Sequence, residues 1–171
     1  REHVFQPLGM ADTTMVRSEV AGARLATGYT LRSHGVRAVP DREFVTAGGS
    51  AAFSTPADMA RYLSALLGGG SNAHGSVLEP ATVAMMFAPQ YQPDPRLPGI
   101  GLAFFRSDAG GHPVVEHQGI LPGFDSQIAL APARNNTGGV VYVDTTATLG
   151  STYFYRVAAL NAVGSSAFST T

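Results

Sequence analysis

Between Thr55 and Gly70 the chain marks out one helix with both ends signed, and the remaining elements must fold around it. Thr55 is a residue type that caps helix N-termini, and Pro56 suits the first helical position. Asp58 follows at the third, where a carboxylate faces the unpaired amides. Met59, Tyr62, Leu63, Leu66 and Leu67 then recur at helical spacing as one apolar stripe. Gly68-Gly69-Gly70 stops the element. A helix with a single apolar stripe is stable only against a second layer, so the chain must supply a sheet or another helix to cover it.

That second layer is legible downstream. Pro80 opens a further helix carrying Val83, Met85, Met86 and Phe87 before Pro89, and the Met pair and Phe87 read as core filler rather than as ligands. Three prolines make a loop of 90–98. Strand-like runs follow over Ile100–Phe105, Pro113–His117, Phe124–Leu130 and Val140–Val143, separated by Gly110-Gly111, Leu121-Pro122-Gly123 and Asn135-Asn136-Thr137-Gly138. Short links between successive strands predict an antiparallel meander, and helices preceding it predict an α+β architecture. Upstream, Leu25–Leu31 reads as a short strand and Ser33–Arg42 as a polar loop.

Composition excludes several classes of function. The formal net charge is −1 with no basic run, so the electrostatic footprint of a nucleic-acid binder is missing. No apolar run approaches the ~20 residues of a membrane span. There is no Cys, which removes disulfides and thiolate chemistry. All 11 basic residues are Arg, so no Schiff base, P-loop lysine or Ser-x-x-Lys nucleophile exists in these 171 residues. Arg cannot substitute, because it stays protonated. His3, His34, His74 and His112 have no partners at metal spacing and read as loop residues; neither a metal nor another cofactor is expected.

The segment with chemical potential is His117-Gln118-Gly119-Ile120. Gly119 lets another backbone or a ligand approach a strand, and free N–H groups on a strand edge can donate to a developing oxyanion. The plain alternative is a His at a strand end beside a Gly-containing turn. Glu116 points to the opposite strand face from His117, so the two do not form a dyad. Ser50, in Gly48-Gly49-Ser50-Ala51-Ala52, lacks the second Gly of a nucleophile elbow and reads as a small-residue turn.

An ordered set of motifs carries a family resemblance: Pro7-Leu8-Gly9-Met10 with Asp12-Thr13, Ala26-x-Gly28-Tyr29, Ala47-Gly48-Gly49, Ser54-Thr55-x-x-Asp58-Met59-Ala60-Arg61-Tyr62-Leu63, His117-x-Gly119, and Pro122-Gly123-Phe124-x-Ser126 with Pro132. Together they resemble the C-terminal half of the serine β-lactamase-like superfamily, which holds class C β-lactamases, D-alanyl-D-alanine carboxypeptidases and related esterases. The resemblance covers about residues 1–134 and implies a partial β-lactamase/transpeptidase-like fold. In that family a Ser of Ser-x-x-Lys attacks an ester, lactam or peptide carbonyl, and a Tyr-x-Asn element and a Lys-Thr-Gly strand complete the site. His117 and Gly119 match the His-x-Gly form of the third motif. The resemblance then implies that the Ile120 N–H is an oxyanion donor and that Gln118 lines the substrate-facing edge. Ser-x-x-Lys and Tyr-x-Asn are both absent, so no catalytic nucleophile is assigned, and the expectation is a chain that begins after those elements and is inactive alone.

The end of the chain follows another pattern. Tyr153, Tyr155, Val157 and Ala159 alternate with period two, and Asn161 and Gly164 supply a turn. Leu149-Gly150-x-Thr152-Tyr153 resembles the tyrosine corner of a fibronectin type III domain. A terminal helix over Thr152–Leu160 is the alternative. The expected organisation is a hydrolase-like part over 1–136 and a fibronectin-like fragment over 137–171, with the junction between Asn135 and Gly139. Family habit implies a periplasmic or extracellular location and a small-molecule ester, lactam or peptide as partner. Apolar surface left exposed would favour self-association. A non-catalytic extracellular interaction module is the competing reading.

Overall fold

The computed structural model describes residues 1–44, 46, 48–132, 140–142, 160–161 and 164–165. The long helix forms as its end signals predict: α1 runs Pro56–Leu67, and the Thr55 hydroxyl accepts the Asp58 N–H at 3.2 Å. α2 spans Pro80–Phe87, again with Pro in the first turn. The sheet has four antiparallel strands in chain order: β3 (Phe105–Asp108), β4 (Pro113–Leu121), β5 (Phe124–Leu130) and β6 (Val140–Tyr142). This is the expected α+β meander. β6 lies beyond the Asn135–Gly139 segment and pairs with β5 through Ile128–Leu130.

The α1 stripe meets this sheet. Leu63 and Leu66 are buried against Phe104, Val115 and Leu130, with Tyr62, Leu67, Met86, Phe87 and Ile128 packed around them. Phe87 and Phe104 meet edge to face, 5.2 Å between centroids, a geometry the ring quadrupoles favour. The other side of α1 holds the N-terminal turns: Ala65 packs with Leu8 and Met10, and Phe5, Tyr62 and Val77 close the cluster. Met85 departs from the sequence reading, being half exposed, whereas Met86 is packed against the core.

Four element boundaries also differ from expectation. Residues 33–42 contain a strand rather than only a loop: β1 (Tyr29–Arg32) pairs with β2 (Gly35–Ala38) as a tight hairpin. Tyr29, Leu31, Val36 and Ala38 share one face of it and Thr30, Arg32 and Arg37 the other, and most of both faces is exposed. The strand expected at Leu25–Leu31 is found instead at Tyr29–Arg32, after a 3-10 turn at Gly22–Arg24. Ile100–Phe105 is not a strand. Ile100 forms single bridges to Tyr91 and Phe105, Ala103 takes a left-handed φ of 60°, and the regular strand starts only at Phe105. β4, in turn, continues past His117 to Leu121. A short pair, β7 (Leu160–Asn161) with β8 (Gly164–Ser165), occurs near the C-terminus. The expected strand of 153–159 lies outside the described residues.

Candidate active-site strand

His117, Gln118, Gly119 and Ile120 lie inside β4 rather than at its end, and all four are exposed. β4 and β5 are joined by Pro122-Gly123, with Gly123 at φ 83° and Leu121 opposite Phe124. A two-residue loop of this kind makes the closing pair a hydrogen-bonded one, so Leu121, Gly119 and His117 direct their backbone groups toward β5. Even-numbered residues face the other way. At the far end of the strand Ala109 N–H donates to His112 O at 2.9 Å, and Pro113, which has no N–H, occupies a non-bonded position. The parity agrees at both ends.

The consequence is an open edge. β3 pairs with β4 only from Pro113 to Glu116, the last pair being Phe105 with Glu116. Opposite Gln118 the chain has already turned away through Ala103, whose positive φ carries a cost of about 1 kcal/mol for a residue with a Cβ. Leu102 N–H is tied instead to Met86 O at 2.8 Å, and Gly101 N–H to Phe104 O at 2.8 Å. Among the described residues, no backbone carbonyl receives the N–H of Gln118 or Ile120. Two donors, two residues apart and on the same edge, are therefore offered outward.

The side chains sort by face. Val115 is buried beneath α1, and the same strand face continues through His117 and Gly119, where the helices no longer cover it. Across the pair, Ile128 and Ser126 share that face. The Phe105 ring lies 6.1 Å from the His117 imidazole. At Gly119 an added Cβ would come within 2.9 Å of the Ser126 hydroxyl, which donates to Gly119 O at 3.3 Å. Gln118 lies on the opposite face, where its amide donates to Asp125 at 3.4 Å, and Glu116 accepts from Gln127 at 3.0 Å. The sequence reading that Glu116 and His117 form no dyad agrees with this. Ile120 is 69% exposed.

Other family-like motifs support the strand or the helix rather than the edge. Gly28 packs beneath Phe124, where a Cβ would sit 2.5 Å from the ring, and Tyr29 N–H donates to Gly123 O at 3.3 Å. The β1–β2 hairpin thus braces the β4–β5 turn. Asp58 is fully buried and accepts from Asp12 N–H at 2.8 Å, Thr13 hydroxyl at 2.7 Å and Arg61 at 2.6 Å. Sequence reasoning placed Asp58 only at a helix N-terminus. Its link to residues 45 and 46 positions away had no local signal, although Asp12-Thr13 and Asp58 were both among the motifs. Ser50 N–H donates to Thr46 O at 3.1 Å within a turn. Among the described residues no group of three or more His, Asp or Glu side chains converges as a metal site would require.

The helices packed on an antiparallel sheet form part of a penicillin-binding-protein/β-lactamase-type fold. The octameric penicillin-binding protein homologue from Pyrococcus abyssi shares it, with a TM-score of 0.63 at 22% identity over 77% of this chain and 30% of that one. The Beta-lactamase family model matches residues 1–162, and the chain belongs to that family. The human protein beta-lactamase-like 1 is 32% identical over 140 residues, 77% of this chain. The unguisins hydrolase ungD' of Aspergillus campestris is 29% identical over 163 residues, 90% of this chain. The chain spans 26% and 29% of those two relatives.

Proposed function

We propose that this chain carries the oxyanion strand of a serine acyl hydrolase that acts on an ester, lactam or D-Ala-D-Ala-type peptide. The outward N–H groups of Gln118 and Ile120 are the observation that carries the reading. Preorganised backbone donors on a strand edge stabilise the charge that develops on a carbonyl oxygen during acyl transfer. In this reading Ile120 N–H is the oxyanion donor and the Gln118 backbone lines the edge that takes the substrate. Gly119 keeps the approach clear, and His117 flanks the acyl group. Family membership supports the reaction class, and the name of the Aspergillus relative describes a hydrolase. With no Lys, these 171 residues hold no Ser-x-x-Lys nucleophile, and no acyl transfer is expected from the chain alone.

The expected division at 136/137 remains part of this proposal, with the tail a fibronectin type III-like fragment. The tyrosine-corner residues Leu149, Gly150, Thr152 and Tyr153 support it, while the family match, which runs to residue 162, overlaps that segment. A periplasmic or extracellular location is proposed on family habit. Exposed Leu31, Val36 and Ile120 support self-association, which sedimentation would read as a concentration-dependent mass. No helix of the described residues is long and apolar enough to cross a membrane.

The test is hydrolysis of p-nitrophenyl acetate and nitrocefin by the purified chain. Rates equal to buffer are expected. Turnover abolished by His117→Ala would contradict the proposal and point to a nucleophile within the chain, with Ser126 and Ser50 to be replaced first.

A further inference from the structure

The arginines of this chain are not used alike. Arg1, Arg17, Arg24, Arg61 and Arg96 each pair with a carboxylate, respectively Glu19, Asp41, Asp12, Asp58 and Asp94. Arg106 donates to the carbonyls of Pro98 and Phe87. Of the described arginines only Arg32, Arg37 and Arg42 have no such partner among the described residues, and all three line the same groove of about 310 Å³. The strand register explains part of this convergence. Thr30 sits opposite Arg37 and Arg32 opposite Gly35, which puts Thr30, Arg32 and Arg37 on one face of the hairpin. Arg42 arrives from the segment after Val39 and Pro40, whose neighbour Asp41 is already paired with Arg17.

We propose that this groove is a binding site for a multiply charged oxyanion. Arg32, Arg37 and Arg42 all line this concavity, and a guanidinium is a planar fork that matches carboxylate or phosphate oxygens. Thr30, Val39 and Pro122 line the same groove. A monovalent anion neutralises one guanidinium and leaves two, whereas a phosphate or a di- or tricarboxylate can engage several at once. Pro122 belongs to the turn between β4 and β5, so the groove adjoins the proposed oxyanion strand without sharing its donors. The site stands independently of the acyl-hydrolase reading.

Titration of the full chain with inorganic phosphate and, separately, citrate tests it, read by amide chemical shifts and calorimetry at low and high salt. Saturable shifts are expected at Thr30, Arg37, Val39 and Gly123, weakening as salt rises. Arg37→Gln should loosen binding about threefold to fivefold, the scale of one exposed ion pair. The triple replacement of Arg32, Arg37 and Arg42 by Gln should abolish it, and Arg96→Gln should leave it unchanged. Tighter phosphate than citrate identifies a tetrahedral phosphate-type ligand, and the reverse identifies a polycarboxylate. Far-UV circular dichroism shows whether each variant remains folded. Non-saturating shifts with both anions, or full binding retained by the folded triple variant, would overturn the proposal.

Discussion

The N-terminus of α1 and the distal half of β4 treat their polar groups in opposite ways. Around Asp58 every donor finds an acceptor: a buried carboxylate takes a backbone N–H, a hydroxyl and a guanidinium from three residues. Around Gln118 and Ile120 the β3–β4 pairing has already stopped, at Glu116, and leaves two N–H groups facing outward. The first arrangement holds the N-terminal segment to the helix. The second gives up sheet hydrogen bonds and leaves donors for something else to bind. A buried unsatisfied group costs about 1–3 kcal/mol, but an exposed one is paid in water contacts, so the open edge persists without unfolding the chain.

Removing the Asp58 carboxylate should therefore produce the largest effect. Asp58→Ala strands the Asp12 N–H and the Thr13 hydroxyl in a buried site, and a loss of about 3 kcal/mol is expected in urea unfolding. A loss under about 0.5 kcal/mol would show that the region is not the structural knot described. Gly119→Val comes next. Its side chain meets only the Ser126 hydroxyl, which can rotate away at this exposed position, so stability should change by less than about 1 kcal/mol while acyl-peptide binding at the edge disappears. Retained binding in this variant would mean that ligands do not approach across Gly119.

His117→Ala sharpens the contrast from the other side. His117 is exposed and makes no hydrogen bond to a side chain among the described residues, so the melting midpoint should move by no more than about 0.5 kcal/mol equivalent. A core-like loss at this position would assign His117 to structure rather than to the edge. The smallest effect is one of pH. The Arg24 guanidinium, hydrogen-bonded to Asp12, holds that carboxyl below the ordinary carboxylate range. A lowered folded-state pKa contributes stability that is present above the unfolded value and is lost as pH falls through the folded one. Acid titration below about pH 4 should thus show a slight loss of stability in the native chain that Arg24→Gln removes. Both groups are exposed, and raised salt should shrink the difference.

What the residues disclosed in advance follows from the range of the interactions. α1 was readable because its cap, its first-turn proline and its stop are all local. The strands of the meander were readable from alternation and turn chemistry, but their limits were not. β4 looked finished at His117 because Gln118 and Gly119 interrupt its apolar pattern, although backbone pairing with β5 continues. Of the β1–β2 hairpin, β1 was partly legible in the Leu25–Leu31 reading, while β2 was missed because Ser33, His34, Gly35 and Pro40 give its surroundings the composition of a loop. His117–Ile120 could be singled out as a segment, but which N–H groups point outward depends on register, and register depends on a turn and a neighbouring strand. The Asp58 contacts span more than forty residues and left no trace in local spacing.

The most direct measurement is amide hydrogen exchange and chemical-shift titration across β4, with N-acetyl-D-Ala-D-Ala as the probe. The account predicts fast exchange at Gln118 and Ile120, protection at His117, Gly119 and Leu121, and peptide-induced shifts led by the Ile120 amide. Protection at Gln118 and Ile120 in the free chain, or shifts confined to residues away from this edge, would contradict it.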